Sequence, residues 1–174
     1  AAITNESGTS DTYGLRPNIA GQKTLIVYAF DRISGSYKLL SHPFAMTAGQ
    51  SIYARYETVH NKSVVDGSVV LSDYNVVVWL FGDESTTDET FGANEQAKAT
   101  AYLNQGGKIF ASGSEIGYDL DRASGPSQAD RDFFNNYLNT KYVGDDANVY
   151  LINGSPASFL NGVSFTYGDT LQGS

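Results

Sequence analysis

Apolar and polar positions divide the chain into blocks of strand length and helix length. Residues 23–30, Lys-Thr-Leu-Ile-Val-Tyr-Ala-Phe, form a nearly continuous apolar run. Such a run fits a strand covered on both faces, as in a parallel sheet. It ends in the charged pair Asp31-Arg32. Residues 51–60 alternate apolar and polar, which predicts an edge strand with one wet face. Between these runs, Pro43 forbids an unbroken helix but suits a first helical turn. Ser41 or His42 would then cap a short helix running to Gly49. Residues 61–73 read as a short helix and a turn.

The clearest unit spans residues 74–121. It opens on Val76-Val77-Val78-Trp79-Leu80-Phe81 and turns at Gly82-Asp83-Glu84-Ser85. A helical stretch at 93–103 stops at Gly106-Gly107. A second apolar run at 108–112 is followed by the turn Gly113-Ser114-Glu115-Ile116-Gly117. Strand, helix, strand in this order predicts a parallel pair with a right-handed crossover. Farther on, Ser127 and Asp130 have capping-box spacing, with Asp in the Glu position. The helix they open carries Phe133, Phe134, Tyr137 and Leu138 on one face. Residues 148–152 and 163–167 are β-like, with Gly and Pro turns between them.

Strands alternating with helices predict an α/β fold. The expected form is a flavodoxin-like, doubly wound, mostly parallel sheet with helices on both faces and a short β addition at the C-terminus. Residues 1–22 are polar and Gly-punctuated, and read as a tail or linker that Tyr13 and Leu15 would pin. Residues 23–174 read as a single α/β domain.

Charge and composition then narrow the function. The net charge of −8 offers no basic face for nucleic acid and disfavours anionic lipid. No apolar run has the length of a membrane span. With no cysteine, disulfides, thiolate nucleophiles and thiolate metal sites are excluded. Ala1 to Gln22 lacks the basic end and apolar block of a signal peptide. Abundant Tyr, Asn, Ser, Thr and Gly with few Lys resembles the composition of secreted bacterial proteins. Twelve Tyr, nine Phe and one Trp would serve the core first, and exposed ones would suit stacking on sugar rings.

In a parallel sheet three strand ends share one rim, where open α/β sheets hold ligands. The first strand brings Asp31 and Arg32, the middle one Asp83, Glu84 and Ser85, the third Ser114 and Glu115. Neighbouring strands lie about 4.8 Å apart, so these carboxylates fall within reach of one another. One could then hold a proton while another stays charged, which suits acid/base work. The same set suits an oxygen-liganded cation such as calcium or magnesium, with calcium the one expected if any is bound; no other cofactor is indicated. Taken singly, each carboxylate also fits a solvated turn. Gly113 to Gly117 has the outline of a nucleophile elbow, with Glu115 in the nucleophile's place. A glutamate there can act as base or nucleophile but not in serine-type acyl transfer. The two histidines, His42 and His60, are too few for a three-His metal site. A triad of Ser85 or Ser114 with His42 and Asp31 exists on paper, against a capping or partly buried histidine. There is no G-x-G-x-x-G or phosphate-loop pattern. Asp119, Asp121 and the stretch from Asp130 to Asp132 do not have EF-hand spacing.

A series of short motifs resembles one family. They are Tyr13-Gly-Leu-Arg-Pro17, Ala29-Phe-Asp-Arg32, Leu71-Ser-Asp-Tyr74, Gly82-Asp-Glu-Ser85, Asp88-Glu-Thr-Phe91, Ser112-Gly-Ser-Glu-Ile-Gly117, Tyr118-Asp-Leu-Asp121, Asn136-Tyr-Leu138 and Tyr142-Val-Gly-Asp-Asp-Ala147. The set is similar to class I glutamine amidotransferase-like domains of secreted bacterial proteins named xanthan lyase or N-acetylmuramoyl-L-alanine amidase. The resemblance implies the flavodoxin-like fold and an extracellular setting. It does not carry the activity, because amidotransferases use a Cys at the elbow with a downstream His, and here Glu115 stands there and no His follows His60. The expected function is a non-catalytic accessory or carbohydrate-binding domain of a secreted polysaccharide- or cell-wall-active protein. Its partners would be a glycan, contacted by Arg32, Asp83, Ser85, Ser114, Tyr118 and Asp119, and other domains of a larger chain. The alternative is a glycan or peptidoglycan hydrolase or lyase, with Glu115 as base or nucleophile, Glu84 its partner, and Asp31 or His42 orienting them.

Overall fold

The computed structural model describes residues 12–13, 23–29, 55–82, 89–145, 149–158 and 160–166. The chain divides into two compact units, Ala1–Tyr142 and Val143–Ser174. The first contains strands β1 (Thr12–Tyr13), β2 (Lys23–Tyr28), β3 (Arg55–His60), β4 (Val76–Gly82) and β5 (Lys108–Gly113). Its helices are α1 (Asn61–Val65), α2 (Ala93–Asn104), α3 (Ile116–Asp121) and α4 (Gln128–Asp132), the last running into a π turn, Phe133–Tyr137.

The sheet order is β1-β3-β2-β4-β5. β3, β2, β4 and β5 are parallel, and β1 lies antiparallel on the outer edge of β3. The four parallel strands follow the flavodoxin-like order, with the direction of winding reversing between β2 and β4. The expected α/β fold is therefore the observed one.

The apolar runs explain the layers. Leu25, Val27, Ala29, Val59, Val77, Trp79 and Phe81 alternate onto one face of the sheet. There they meet Val64 of α1, Ala99 and Tyr102 of α2, Leu120 of α3, and Phe133 and Phe134. Each of the Val, Leu and Phe side chains contributes about 1.5–3 kcal/mol when fully buried, and the alanines less. Phe91 enters this core from the turn before α2, its ring 4.5 Å from Phe81, 5.0 Å from Trp79 and 5.2 Å from Phe133. The opposite face carries Ile26, Tyr28 and Leu80, with Tyr56 and Val78 packed against them. Among the described residues no helix contributes to that second cluster.

Two helix ends follow their local sequence. α2 stops in a Schellman motif, in which Gly107 N–H donates to Tyr102 O and Gly106 N–H to Leu103 O. Gly106 takes φ 84°, the left-handed conformation that only glycine adopts without strain. α4 opens on the expected capping box: Asp130 N–H donates to Ser127 Oγ at 3.2 Å and Ser127 N–H to Asp130 Oδ2 at 2.7 Å.

Two strands differ from expectation. β3 is not at the edge, because β1 covers it, so Thr58 and Val59 are buried. β5, read as a second apolar run, is the edge among the described residues: Lys108, Phe110 and Ser112 are exposed while Ile109 and Ala111 are half-buried. The expected helix through residues 43–49 lies outside the described residues. In the second unit, β6 (Leu151–Asn153) and β7 (Ser164–Thr166) pair antiparallel, with Ile152 opposite Phe165. This hairpin is the expected C-terminal β addition.

Candidate functional site

The parallel strands open onto one rim. β2 ends at Tyr28, β3 at His60, β4 at Gly82 and β5 at Gly113. The register between β4 and β5 shifts between Leu80 and Gly82, a bulge at the strand's end. Gly82 takes φ 67°, and its carbonyl accepts Ser114 N–H at 2.9 Å. The chain leaving β4 and the turn leaving β5 are thus fastened together at this point. The pattern predicted that β4 and β5 would run the same way, and they do.

The turn after β5 has the outline of an elbow, and packing sets its glycines. A Cβ on Gly113 would lie 2.7 Å from Phe81 Cβ, and one on Gly117 would lie 3.1 Å from Tyr142 Cδ2. Glu115 between them is half-buried and is the N-cap residue of α3, with φ −103° and ψ 0°. These angles fall in the bridge region between helix and strand, at the point where β5 hands over to α3. The Glu115 carbonyl accepts Asp119 N–H at 2.8 Å, the first bond of the helix.

Two of the other expected binding residues are fixed within the fold. Asp119 is only 8% exposed, and its Oδ2 accepts both Thr90 N–H and Thr90 Oγ1–H at 2.9 Å. It ties α3 to the turn that delivers Phe91 into the core. Tyr118 is half-buried, with Arg122 Cζ 4.4 Å above its ring and Tyr142 edge-on at 6.3 Å. Asp31, Arg32, His42, Asp83, Glu84 and Ser85 lie outside the described residues.

The other histidine is also a structural participant. His60 caps α1, its Nδ1 accepting Lys62 N–H at 3.0 Å, and stacks edge-on to Tyr28 at 5.5 Å. That hydrogen bond requires Nδ1 to be unprotonated.

A polar network just below the rim escaped the sequence reading. Asn61 Nδ2 donates to Glu95 Oε1, and Asn61 Oδ1 accepts Trp79 Nε1–H at 3.0 Å. Glu95 is 5% exposed. The network joins the start of α1, the middle of β4 and the first turn of α2, where a carboxylate also suits the helix dipole. A polar residue directly after a strand is the only local signal; the 34-residue separation of Asn61 and Glu95 hides their pairing.

Among the described residues no group of three or more His, Asp or Glu is placed to hold a metal ion. No described helix is long and apolar enough to cross a membrane. A polar cleft of about 540 Å³ lies at the other end of the sheet, lined by Tyr74, Tyr102, Gln105 and Lys108 among others. Comparison with protein-family models, with curated proteins and with solved structures returns no match.

Proposed function

We propose that the chain is a non-catalytic accessory domain that binds carbohydrate, and that it belongs to a secreted polysaccharide- or cell-wall-active protein. The observation that carries this reading is Glu115, at the N-cap of α3, in the place where the resemblance expects a nucleophilic cysteine. Beside it, Arg122 lies over the ring of half-buried Tyr118, and the pair would meet a sugar through the guanidinium and the exposed part of the ring. Calcium is a cation that carboxylates at the rim would suit.

A second reading is favoured by the Ser114–Gly82 hydrogen bond, which joins the exits of β4 and β5. It makes the chain a glycan or peptidoglycan hydrolase or lyase, with Glu115 as base or nucleophile, Glu84 its partner, and Asp31 or His42 orienting them. Glycan-array binding and turnover assays on the parent, Glu115→Gln and Glu84→Gln separate the two. Binding without turnover by the parent supports the accessory domain. Turnover that disappears in Glu115→Gln, with circular dichroism unchanged, overturns it in favour of the enzyme. Absence of both binding and turnover across a broad glycan panel removes both.

A further inference from the structure

The two edges of the sheet are finished differently. β1 closes the β3 edge by antiparallel addition, whereas β5 has no strand on its outer side among the described residues. Natural proteins blunt such edges with charge, proline or a bulge, because unpaired N–H and C=O groups template another strand. In β5, Lys108 at the start is charged, and Ile109-Phe110-Ala111-Ser112-Gly113 contains neither charge nor proline. Each side of the strand presents apolar surface, on the outer face only at Phe110 between Lys108 and Ser112. Phe110 is 55% exposed on one face. On the other face, Ile109 and Ala111 line a groove of about 330 Å³ with Leu103, Phe134, Tyr137 and Leu138. In a chain of net charge −8, neither this groove nor the strand beside it holds a carboxylate.

We propose that β5 is a homodimer interface, in which β5 of a second copy adds antiparallel across a two-fold axis normal to the sheet at Phe110. Only an extended backbone satisfies the edge, and this strand is complementary to itself in that register. Phe110 faces Phe110 of the second copy, a favourable aromatic cross-strand pair. Ile109 faces Ala111 on the groove side, large beside small. Lys108 faces the neutral Ser112 rather than a like charge. A one-residue slip would turn every side chain to the wrong face. The contact is isologous and closes at two copies. The strip is short against a standard interface, so the dimer forms at high protein concentration.

Sedimentation velocity across a concentration series tests this, together with Phe110→Lys and two cysteine variants. The natural chain has no cysteine, so each variant carries a single reporter thiol. Dimer that grows with concentration and disappears in Phe110→Lys is expected. Mild oxidation is expected to link Phe110→Cys into a disulfide dimer. Lys108→Cys, whose two copies would sit about 14 Å apart along the strands, stays unlinked. A parent that remains monomeric at millimolar concentration overturns the proposal. So does equal linking of the two cysteine variants, or a dimer that survives Phe110→Lys. Should Phe110→Lys fail to fold, the contrast between the cysteine variants still decides the register.

Discussion

Replacing Asp119 distinguishes a residue that holds the fold from one that holds a ligand. Its Oδ2 takes two hydrogen bonds from Thr90, a residue with no exposed surface. Bonds to a charged acceptor contribute about 1.5–3 kcal/mol each, and a buried donor left unpaired costs about 1–3 kcal/mol. Asp119→Ala strands the Thr90 N–H and hydroxyl together, so we expect a loss of about 3–5 kcal/mol. That is a large share of the 5–15 kcal/mol typical of a domain. Asp119→Asn keeps an oxygen in place and loses only the charge, for about 1–2 kcal/mol. Arg122 adds little: it lies 3.9 Å from Asp119 Oδ1 with 31% of its side chain exposed, and such pairs contribute at most about 1 kcal/mol. Urea unfolding followed by the fluorescence of Trp79, the only tryptophan and fully buried, measures the change. A double-mutant cycle with Thr90→Val isolates the hydroxyl's share. Stability of Asp119→Ala within about 0.5 kcal/mol of the parent would refute the latch. Glycan binding lost at unchanged stability would return Asp119 to the ligand site.

Other substitutions test other parts of the frame. Gly113→Ala drives a Cβ to 2.7 Å from Phe81 Cβ and should cost about 1–3 kcal/mol in the same unfolding assay. Gly106→Ala, at φ 84°, should cost about 1 kcal/mol, seen as a lower urea midpoint with unchanged slope. Acid should weaken the fold through Asp66, whose carboxyl is lowered from 3.8 to about 2 by the Ser68 hydroxyl first, then Ser68 N–H and Lys62. Its folded value lies below its unfolded one, so its contribution is complete above pH 3.8 and is lost as pH falls towards 2. Asp66→Asn should flatten that part of the stability–pH curve; an unchanged curve would contradict the assignment. Calcium at the rim should raise the melting temperature of the parent but not of Glu115→Gln, and chelation should reverse the rise.

The parts of the fold legible in the sequence are those decided by neighbours along the chain. Val76 to Phe81 could hardly be anything but a buried strand. Gly106-Gly107 ends α2 because the stop is a local backbone event, and Ser127 and Asp130 cap each other three residues apart. What the sequence hid depends on residues far away. Nothing in Ile109-Phe110-Ala111 tells whether a strand lies on one side of it or on both, so an edge reads like an interior strand. Two residues, Thr12 and Tyr13, suffice to move β3 off the edge, and no pattern so short is recognisable.

The candidate site divides along the same line. The glycines around Glu115 were recognisable as an elbow, because the spacing of glycines is local. Whether that elbow is loaded depends on its backbone angles and on what faces it, and both are properties of packing. Asp119 shows how much residue type leaves out. A carboxylate one turn into the helix that follows a rim is a natural ligand-binding candidate, yet its Oδ2 is committed to Thr90, 29 residues away. The same commitment brings the Thr90–Phe91 turn down onto Trp79 and Phe81. Phe91 holds φ 52°, a left-handed conformation that costs a residue with a Cβ on the order of 1 kcal/mol. Full burial of its ring, about 1.5–3 kcal/mol, outweighs that cost only while Asp119 and the Gln96 amide, 2.7 Å from Phe91 O, hold the turn in place. Asp119 therefore fixes the turn that leads into α2, which is the part of its role that the unfolding assay reads.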